Sequence, residues 1–174
     1  MSLLVRDSCA GDVAQIARIY AHWVRHGFGT FELEPPDEME IASRRIAVLA
    51  SGHCHLVAED RGGDVLGYAY AGPYRQRPGY RFSCENSVYV AADVGRRGIG
   101  RALMAGLIDR CEAKGLRLMV AVIGDSENHA SIGLHRVMGF SHAGLLPAVG
   151  WKHNRWVDTV FMTRALGQGC SSVP

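Results

Sequence analysis

A glycine-rich turn that carries several arginines contains the residue types best suited to chemistry. Residues 95–101 read GRRGIGR, after a strand-like stretch at 82–90 and before a helical pattern of apolar residues at 98–114. Backbone N–H groups at the start of a helix attract anions, and glycine lets a phosphate group approach the chain closely. Arginines at this end of a helix oppose its dipole, which favours a bound anion over a solvated basic turn. The turn therefore predicts a phosphate-binding site.

Length and composition indicate one globular domain. The chain has 174 residues, of which 48% are hydrophobic and 21% are charged. This length is sufficient for a substantial core, and the proportions are close to globular averages. We expect a single domain at residues 1–166 and a flexible tail at 167–174, which reads GQGCSSVP.

Charge and cysteine content argue against several classes of partner. A net charge of +2 is too small to indicate a nucleic acid or a membrane surface as the main partner. The five cysteines are scattered along the chain, without the close pairs of a metal site. We therefore expect no bound metal, free thiols and a cytoplasmic location.

The hydrophobic pattern predicts the elements that position the turn. They are, in order, a strand at 3–6, helices from 12 to 26 and from 38 to 49, a hairpin at 53–59 and 65–71, a strand at 82–90, a helix at 98–114, a strand at 116–123, a helix at 126–138, and strands at 140–146 and 156–164. The run at 116–123 is almost continuously apolar, as expected for a strand buried on both faces. A loop containing Pro147 and Gly150 is expected between the last two strands. This order indicates an α+β domain.

Two blocks of this sequence resemble the GNAT superfamily of acyl-CoA-dependent N-acyltransferases. They are Gly98 and Gly100 in the turn, and residues 128–140, which read NHASIGLHRVMGF. One departure is Gly95, which stands where the superfamily usually has Arg or Gln. The resemblance implies a GNAT fold of the α+β class (α/β three-layer): a mixed, mostly antiparallel central sheet flanked by helices and splayed between the strands 82–91 and 116–123.

A closer resemblance is to phosphinothricin N-acetyltransferases and their relatives that act on methionine sulfoximine and sulfone. It rests on four ordered blocks, AGPYRQRPGYR, ENSVYV, SIGLHRVMGF and GWKHNRWVD, within a similarity that spans residues 3–166. This family implies direct transfer of an acetyl group from acetyl-CoA to an amine, without a covalent enzyme intermediate. Such a reaction needs a base, because a free amine is mostly protonated at neutral pH.

Two residues are expected to be catalytic. Glu85 matches the glutamate of the ENSVYV-like motif and is the candidate base, directly or through a water. From spacing alone, a salt bridge with an arginine of the 73–81 loop is a comparable alternative. His135 occupies a position where the closer relatives also have histidine, and it is expected to protonate the leaving thiolate or to hold the donor. A half-buried histidine with a local hydrogen bond is the alternative.

The resemblance also implies a binding site for acetyl-CoA. The expected residues are Val88, Tyr89, Val90, Arg96, Arg97, Gly98, Ile99, Gly100, Arg101, Asn128 and Ser131. The strand residues would pair through their backbone with the pantetheine arm, as an added strand does. The residues of the turn would bind the pyrophosphate. Asn128 alone is better explained as a helix cap.

The acceptor site is expected on the other side of the reacting atoms. The residues implied are Phe31, Arg75, Arg77, Tyr80, Glu85, Asn86, Ser87 and His153. Arginine suits a carboxylate or phosphinate, because its planar fork donates two parallel hydrogen bonds. His153 is expected to approach from a partner subunit, since the relatives are dimers. Without the resemblance, ordinary surface charge and core packing would explain these residues.

The sequence therefore predicts an acetyl-CoA-dependent N-acetyltransferase, and a homodimer, acting on a small amino-acid-like acceptor of the phosphinothricin, methionine sulfoximine or methionine sulfone type. Two alternatives remain open. One is an acetyltransferase for another amine: a polyamine, an aminoglycoside or a protein N-terminus. The other is a catalytically silent acyl-CoA-binding module. The basic loop at 73–81 favours an anionic acceptor group over a polyamine.

Overall fold

Seven strands and four α-helices form within residues 3–94 and 97–174, the ranges that the computed structural model describes. The strands are β1 Leu4–Asp7, β2 His55–Glu59, β3 Val65–Pro73, β4 Ser83–Val90, β5 Leu118–Gly124, β6 Ser141–Lys152 and β7 Arg155–Ala165. The α-helices are α1 Val13–His26, α2 Glu38–Ala50, α3 Ile99–Ala113 and α4 His129–Val137. No helix within these ranges is long and apolar enough to span a membrane.

All seven strands form one sheet, in the order β1-β2-β3-β4-β5-β7-β6. Neighbouring strands are antiparallel except β4 and β5, which are parallel. The pairing of β4 with β5 ends at Asn86 and Ala121, although β4 continues to Val90 and β5 to Gly124. We call this point of separation the fork. The predicted mixed sheet, splayed between these two strands, is confirmed.

The two faces of the sheet are covered by different helices. On one face, Leu103, Leu107 and Cys111 of α3 are fully buried at the spacing of four that the sequence shows. On the other face, Ile16 and Val24 of α1 pack with α2 against the sheet. Each of these two helices therefore buries one apolar stripe, and the sheet lies between the two cores.

The last two strands differ from the prediction. A loop was expected around Pro147 and Gly150, but β6 continues through this segment with an irregular register between Leu146 and Gly150. Because β6 is an edge strand, the missing N–H of a proline leaves no neighbouring strand unpaired. The strand then turns into β7 at His153 and Asn154, whose φ angles of 49° and 59° are those of a tight two-residue hairpin turn.

The C-terminal residues lie beside β5. Arg117 donates hydrogen bonds to the carbonyl of Gly169 (3.4 Å) and to the hydroxyl of Ser172 (3.1 Å). The flexible character of residues 167–174 stays a prediction.

Candidate active site

A cavity of about 450 Å³ opens where β4 and β5 separate. Its walls are the end of β4, the end of β5, the inner side of α4 and the chain from Trp23 to Gly29. The predicted site residues that line it are Asn86, Ser87, Val88, Tyr89, Val90, Asn128, Ser131 and His135. The fork thus brings together the strand and α4 residues expected to bind the donor, whereas the residues of the glycine-rich turn that the structure describes do not line the cavity.

The backbone of β4 alternates between two neighbours. Ala91 N–H donates to the carbonyl of Leu66, and Tyr74 N–H donates to the carbonyl of Ser83, so the odd-numbered residues of β4 face β3. The even-numbered residues therefore direct their N–H and C=O groups towards β5. Beyond the fork β5 has diverged, and these groups face the cavity.

Val88 and Val90 are the two residues whose backbone faces the cavity in this way. The carbonyl of Val90 accepts a hydrogen bond from Trp23 Nε1 at 2.8 Å, so its N–H is the group directed into the opening. The backbone groups of Tyr89 are directed to β3. An extended ligand added beside β4 would therefore form backbone hydrogen bonds with Val88 and Val90. Tyr89 would only line the cavity.

The start of α3 lies next to the end of β4. Gly98 has a φ of 76°, a left-handed conformation that favours glycine, and no side chain among residues 3–94 and 97–174 caps this end of the helix. Gly100 packs against Leu134 of α4 and Val90. The N–H groups of Ile99, Gly100 and Arg101 have no partner within the helix, as in any first turn. This geometry suits the predicted pyrophosphate site. Gly95 and Arg96 lie outside the described residues.

Glu85 lies one residue before the fork, on the face of the sheet covered by α1 and α2. It is half-buried, on the same face as Ser87 and Tyr70. Burial raises the pKa of its carboxyl group, and the positive charge of Arg75 partly offsets this shift. A carboxylate with a raised pKa, next to the point where β4 opens, suits a base that works near neutral pH.

His135 and Asn86 form a buried pair on the opposite face. His135 is 5% exposed, and its Nε2 lies 3.0 Å from Asn86 Oδ1. Asn86 Nδ2 donates to the carbonyl of Val120 at 3.1 Å. Asn86, expected to contact the acceptor, is therefore directed away from the Glu85 face. Burial lowers the pKa of His135, and its contact with the Ser131 carbonyl opposes this.

The residues predicted for the acceptor are spread over surface loops. Arg75, Arg77 and Tyr80 are exposed on the segment between β3 and β4, where the Tyr80 ring packs edge-on against Tyr74. Phe31 is 39% exposed. His153 is exposed in the β6–β7 turn. The structure places these residues outside the cavity wall, and their acceptor roles stay predictions.

Several residues that the sequence did not single out hold the chain at 27–32 in place. Lys152 is 1% exposed and donates from Nζ to the carbonyl of Thr30 at 2.7 Å. Burial lowers the pKa of Lys152, and the charge of Glu32 opposes this. Tyr20 donates to Glu32 at 2.9 Å, and its hydroxyl lies 2.8 Å from that of Thr30. The sequence signal for this role is a lysine between the two tryptophans of the segment GWKHNRWVD.

Two glycines allow this segment to cross the sheet. A Cβ at Gly124 would lie 1.9 Å from the carbonyl oxygen of Phe28. A Cβ at Gly150 would lie 2.1 Å from the ring of Phe31. The chain at 27–31 therefore lies directly on β5 and β6 and closes one side of the fork.

Comparison with known proteins identifies the family. Residues 15–140 match the model of the acetyltransferase (GNAT) family. The chain is 49% identical to a phosphinothricin N-acetyltransferase of Alcaligenes faecalis, over 98% of this chain and 85% of the relative. It is 41% identical to an L-methionine sulfoximine/L-methionine sulfone acetyltransferase of Pseudomonas aeruginosa, over 93% of this chain and 94% of the relative.

One solved structure is similar to this chain in both fold and sequence. The crystal structure of a GNAT superfamily phosphinothricin acetyltransferase from Sinorhizobium meliloti, in complex with AcCoA, matches with a TM-score of 0.96 and 44% identity. The match covers 100% of this chain and 94% of that one. The predicted fold and enzyme class are confirmed: the chain belongs to the acetyltransferase (GNAT) family.

Proposed function

We propose that this enzyme transfers the acetyl group of acetyl-CoA to the amine of a small amino-acid-like acceptor, of the phosphinothricin, methionine sulfoximine or methionine sulfone type. The fork carries this proposal: a half-buried carboxylate lies on one side of it, and unpaired strand backbone with a helix start lies on the other. The relatives that carry these substrate names align with nearly the whole chain.

The donor binds along β4. Val88 and Val90 pair with the pantetheine arm as a strand neighbour would. The first turn of α3 receives the pyrophosphate through its backbone N–H groups. This arrangement puts the thioester near the fork, with Asn128 and Ser131 of α4 opposite β4.

The acceptor lies on the Glu85 side. Arg75 and Arg77 hold its acidic group, and Glu85 removes a proton from its ammonium group, directly or through a water. The free amine then attacks the thioester carbon, and the C–S bond breaks with its electron pair on sulfur. The proton that the new amide nitrogen loses balances the one that this sulfur gains, so CoA leaves as a thiol. Direct attack needs alignment of the two substrates, which the fork supplies.

We also infer that the enzyme is a homodimer. The β6–β7 hairpin ends the sheet at a free edge and exposes Trp151 (53%), Trp156 (62%) and Leu146 (47%). Apolar side chains clustered on an edge strand are typical of an interface. A second copy covering this hairpin would also bring His153 near a neighbouring acceptor site. Sedimentation velocity should give a dimer for the wild type and a monomer for Trp156→Glu; a monomeric wild type would refute this inference.

We propose a cytoplasmic location on the basis of the thiols. All five cysteines are free, and three of them are buried. Free thiols persist in a reducing compartment, which supports a cytoplasmic enzyme.

The substrate proposal is tested by measuring thiol release. Purified enzyme and acetyl-CoA are combined in turn with phosphinothricin, methionine sulfoximine, methionine sulfone, ordinary amino acids, a polyamine, an aminoglycoside and a peptide. We expect rapid release with the amino-acid analogues. Release with the polyamine alone would contradict the proposal that Arg75 and Arg77 bind an acidic group of the acceptor. Binding of acetyl-CoA without release for any acceptor would identify a silent binding module.

A further inference from the structure

Phe28 lines the cavity on the face of the sheet that carries Glu85. Glu85 pairs with Val120 of β5, and alternate residues of a strand share a face, so Val122 and Gly124 also face the Glu85 side. A Cβ on Gly124 would meet the carbonyl oxygen of Phe28, which places Phe28 over this face. Gly124 comes four residues after Val120, which is about 13 Å along the strand. Phe28 therefore lies beyond the fork, at the far end of β5 from Glu85.

This end of the cavity suits the side chain of an amino-acid acceptor. The α-carbon of such an acceptor carries an amine, an acidic group and a side chain, which point in different directions. In the proposed function the amine faces Glu85, and the acidic group faces Arg75 and Arg77 before the start of β4. The side chain is then left with the space along β5, where Val122 and Phe28 provide an apolar lining.

The ring of Phe28 is fixed by side chains of the β6–β7 hairpin. The guanidinium carbon of Arg155 lies 4.0 Å from the centroid of the Phe28 ring, a cation–π contact. The ring of His153 in the same chain lies edge-on to it, with the centroids 5.2 Å apart. The ring is thus held from the sheet, although its backbone follows α1.

Arg155 is itself held by Asp125, the residue directly after Gly124. Asp125 is 6% exposed, and its carboxylate accepts a hydrogen bond from Arg155 Nη2. Its φ of 76° is left-handed, a conformation that is uncommon for residues with a Cβ and that persists where the surroundings impose it. Asp125 N–H donates to the carbonyl of Asp158 at 2.9 Å, and its carboxylate accepts from Glu127 N–H at 3.1 Å. Asp125 is therefore a rigid anchor for the guanidinium.

We propose that Phe28 determines how long an acceptor side chain this enzyme accepts, and that Arg155 and Asp125 are positioning residues for its ring. A longer side chain meets the ring before the amine reaches Glu85. The ring cannot turn aside without losing its contact with Arg155, and the close contact with Gly124 keeps the backbone from moving towards the sheet. This inference rests on the proposed function and names the size class of its acceptor.

The test compares methionine sulfoximine with its homologues that carry S-ethyl or S-butyl in place of S-methyl. The quantity measured is kcat/KM from thiol release, expressed as the ratio of the S-butyl to the S-methyl compound. We expect a wild-type ratio well below one, since one methylene that does not fit costs about 10- to 200-fold. Phe28→Ala should raise the ratio by about that factor, and Phe28→Trp should lower it.

The positioning residues are tested by the same ratio. In Arg155→Ala the ring remains but can turn, so the ratio should rise by less than in Phe28→Ala. Arg155→Lys should lie closer to the wild type, because an ammonium group can also lie over the ring and pair with Asp125. Asp125→Asn should resemble Arg155→Ala, since asparagine tolerates the left-handed backbone but lacks the charge. A general loss of stability would lower both kcat/KM values and leave their ratio unchanged.

Phe82→Ala is the matched control. Phe82 is also half-buried, with the guanidinium of Arg81 over its ring at 4.5 Å, but it does not line the cavity, so the ratio should stay at the wild-type value. A wild type that acetylates the S-butyl and S-methyl compounds equally well would overturn the inference. An unchanged ratio in whichever of Phe28→Ala and Phe28→Trp folds would do the same, with the proposed function intact. No release with any of the three compounds would refute the proposed function, and this inference with it.

Discussion

The two sides of the fork are built in different ways. On the proposed donor side, the groups that face the ligand are backbone atoms of β4 and of the start of α3, fixed by the sheet and by helix geometry. On the proposed acceptor side, they are exposed side chains of the 73–81 loop, the 27–32 segment and the β6–β7 turn. A single side-chain change should therefore affect the acceptor side strongly and the donor side weakly.

The largest effect is expected for Glu85→Gln. A positioned base contributes roughly 10²- to 10⁴-fold, and kcat should fall by about that factor. The base works only as a carboxylate, so wild-type activity should fall as the pH decreases through the raised pKa of Glu85. This acid limb should disappear in Glu85→Gln and move to higher pH in Arg75→Gln, where the charge that lowers the Glu85 pKa is removed.

The measurement is kcat/KM against pH, followed by thiol release. Glu38→Gln, an exposed carboxylate at the start of α2, serves as the control and should leave the profile unchanged. Retention of both turnover and the acid limb in Glu85→Gln would remove Glu85 as the base.

The next effect is expected for Gly124→Ala, which tests how the acceptor side is held. The added Cβ would collide with the carbonyl oxygen of Phe28, so the 27–31 segment must shift. A displacement on the order of 1 Å can cost about 100-fold in rate. We expect a loss of that order in kcat/KM for the acceptor, together with a lower Tm.

Gly133→Ala in α4 is the matched control for that change. Nothing lies within 4 Å of its added Cβ, and replacing a helical glycine by alanine stabilises by roughly 0.5–1 kcal/mol. Its Tm should stay level or rise. Equal kcat/KM and Tm in the two variants would show that the close contact between Gly124 and the 27–31 segment does not constrain the acceptor side.

Arg77→Ala should raise the KM of the acceptor by about 10- to 100-fold, since a hydrogen bond to a charged group contributes roughly 1.5–3 kcal/mol. The KM of acetyl-CoA should not change. Arg81→Ala is the control on the same loop, because that guanidinium lies over the Phe82 ring at 4.5 Å. If the KM of acetyl-CoA rises in Arg77→Ala and that of the acceptor does not, the loop serves the donor.

Arg101→Ala should have the smallest effect. A charge near a helix start is worth about 0.3–1 kcal/mol, so the KM of acetyl-CoA should rise by less than about fivefold. Arg110→Ala, near the other end of α3 and paired with Asp7, should not change it. A loss of about 100-fold in Arg101→Ala would mean that side-chain charge, and not the backbone, dominates pyrophosphate binding.

Local signals predicted most of the elements. The apolar spacing of α1 and α3 and the apolar run of β5 each depend on residues close in sequence. Asp37 accepts from Glu40 N–H, and Asn128 caps α4 by accepting from Ser131 N–H, as capping residues do. The prediction failed at β6, where Pro147 and Gly150 indicate a loop. A strand tolerates these two residues at the edge of a sheet, and the position of β6 at the edge depends on the tertiary structure.

The direction of side chains was harder to predict than the elements that carry them. Asn86 and Glu85 are adjacent in sequence and both were expected near the acceptor, but strand geometry turns them to opposite faces. His135 was expected to act on the donor, yet both of its ring nitrogens have partners within the protein. The role of Lys152 depends on Thr30, which is distant in the chain.

The sequence by itself determined the family and the residue types available for acyl transfer, and it predicted a phosphate-binding turn, because these depend on short segments whose order and spacing are readable. The tertiary structure alone decided where β4 and β5 separate, which backbone groups of β4 are left unpaired there, and that Asn86 pairs with His135. These features depend on sheet register and on contacts between residues far apart in the chain. No local pattern encodes such contacts.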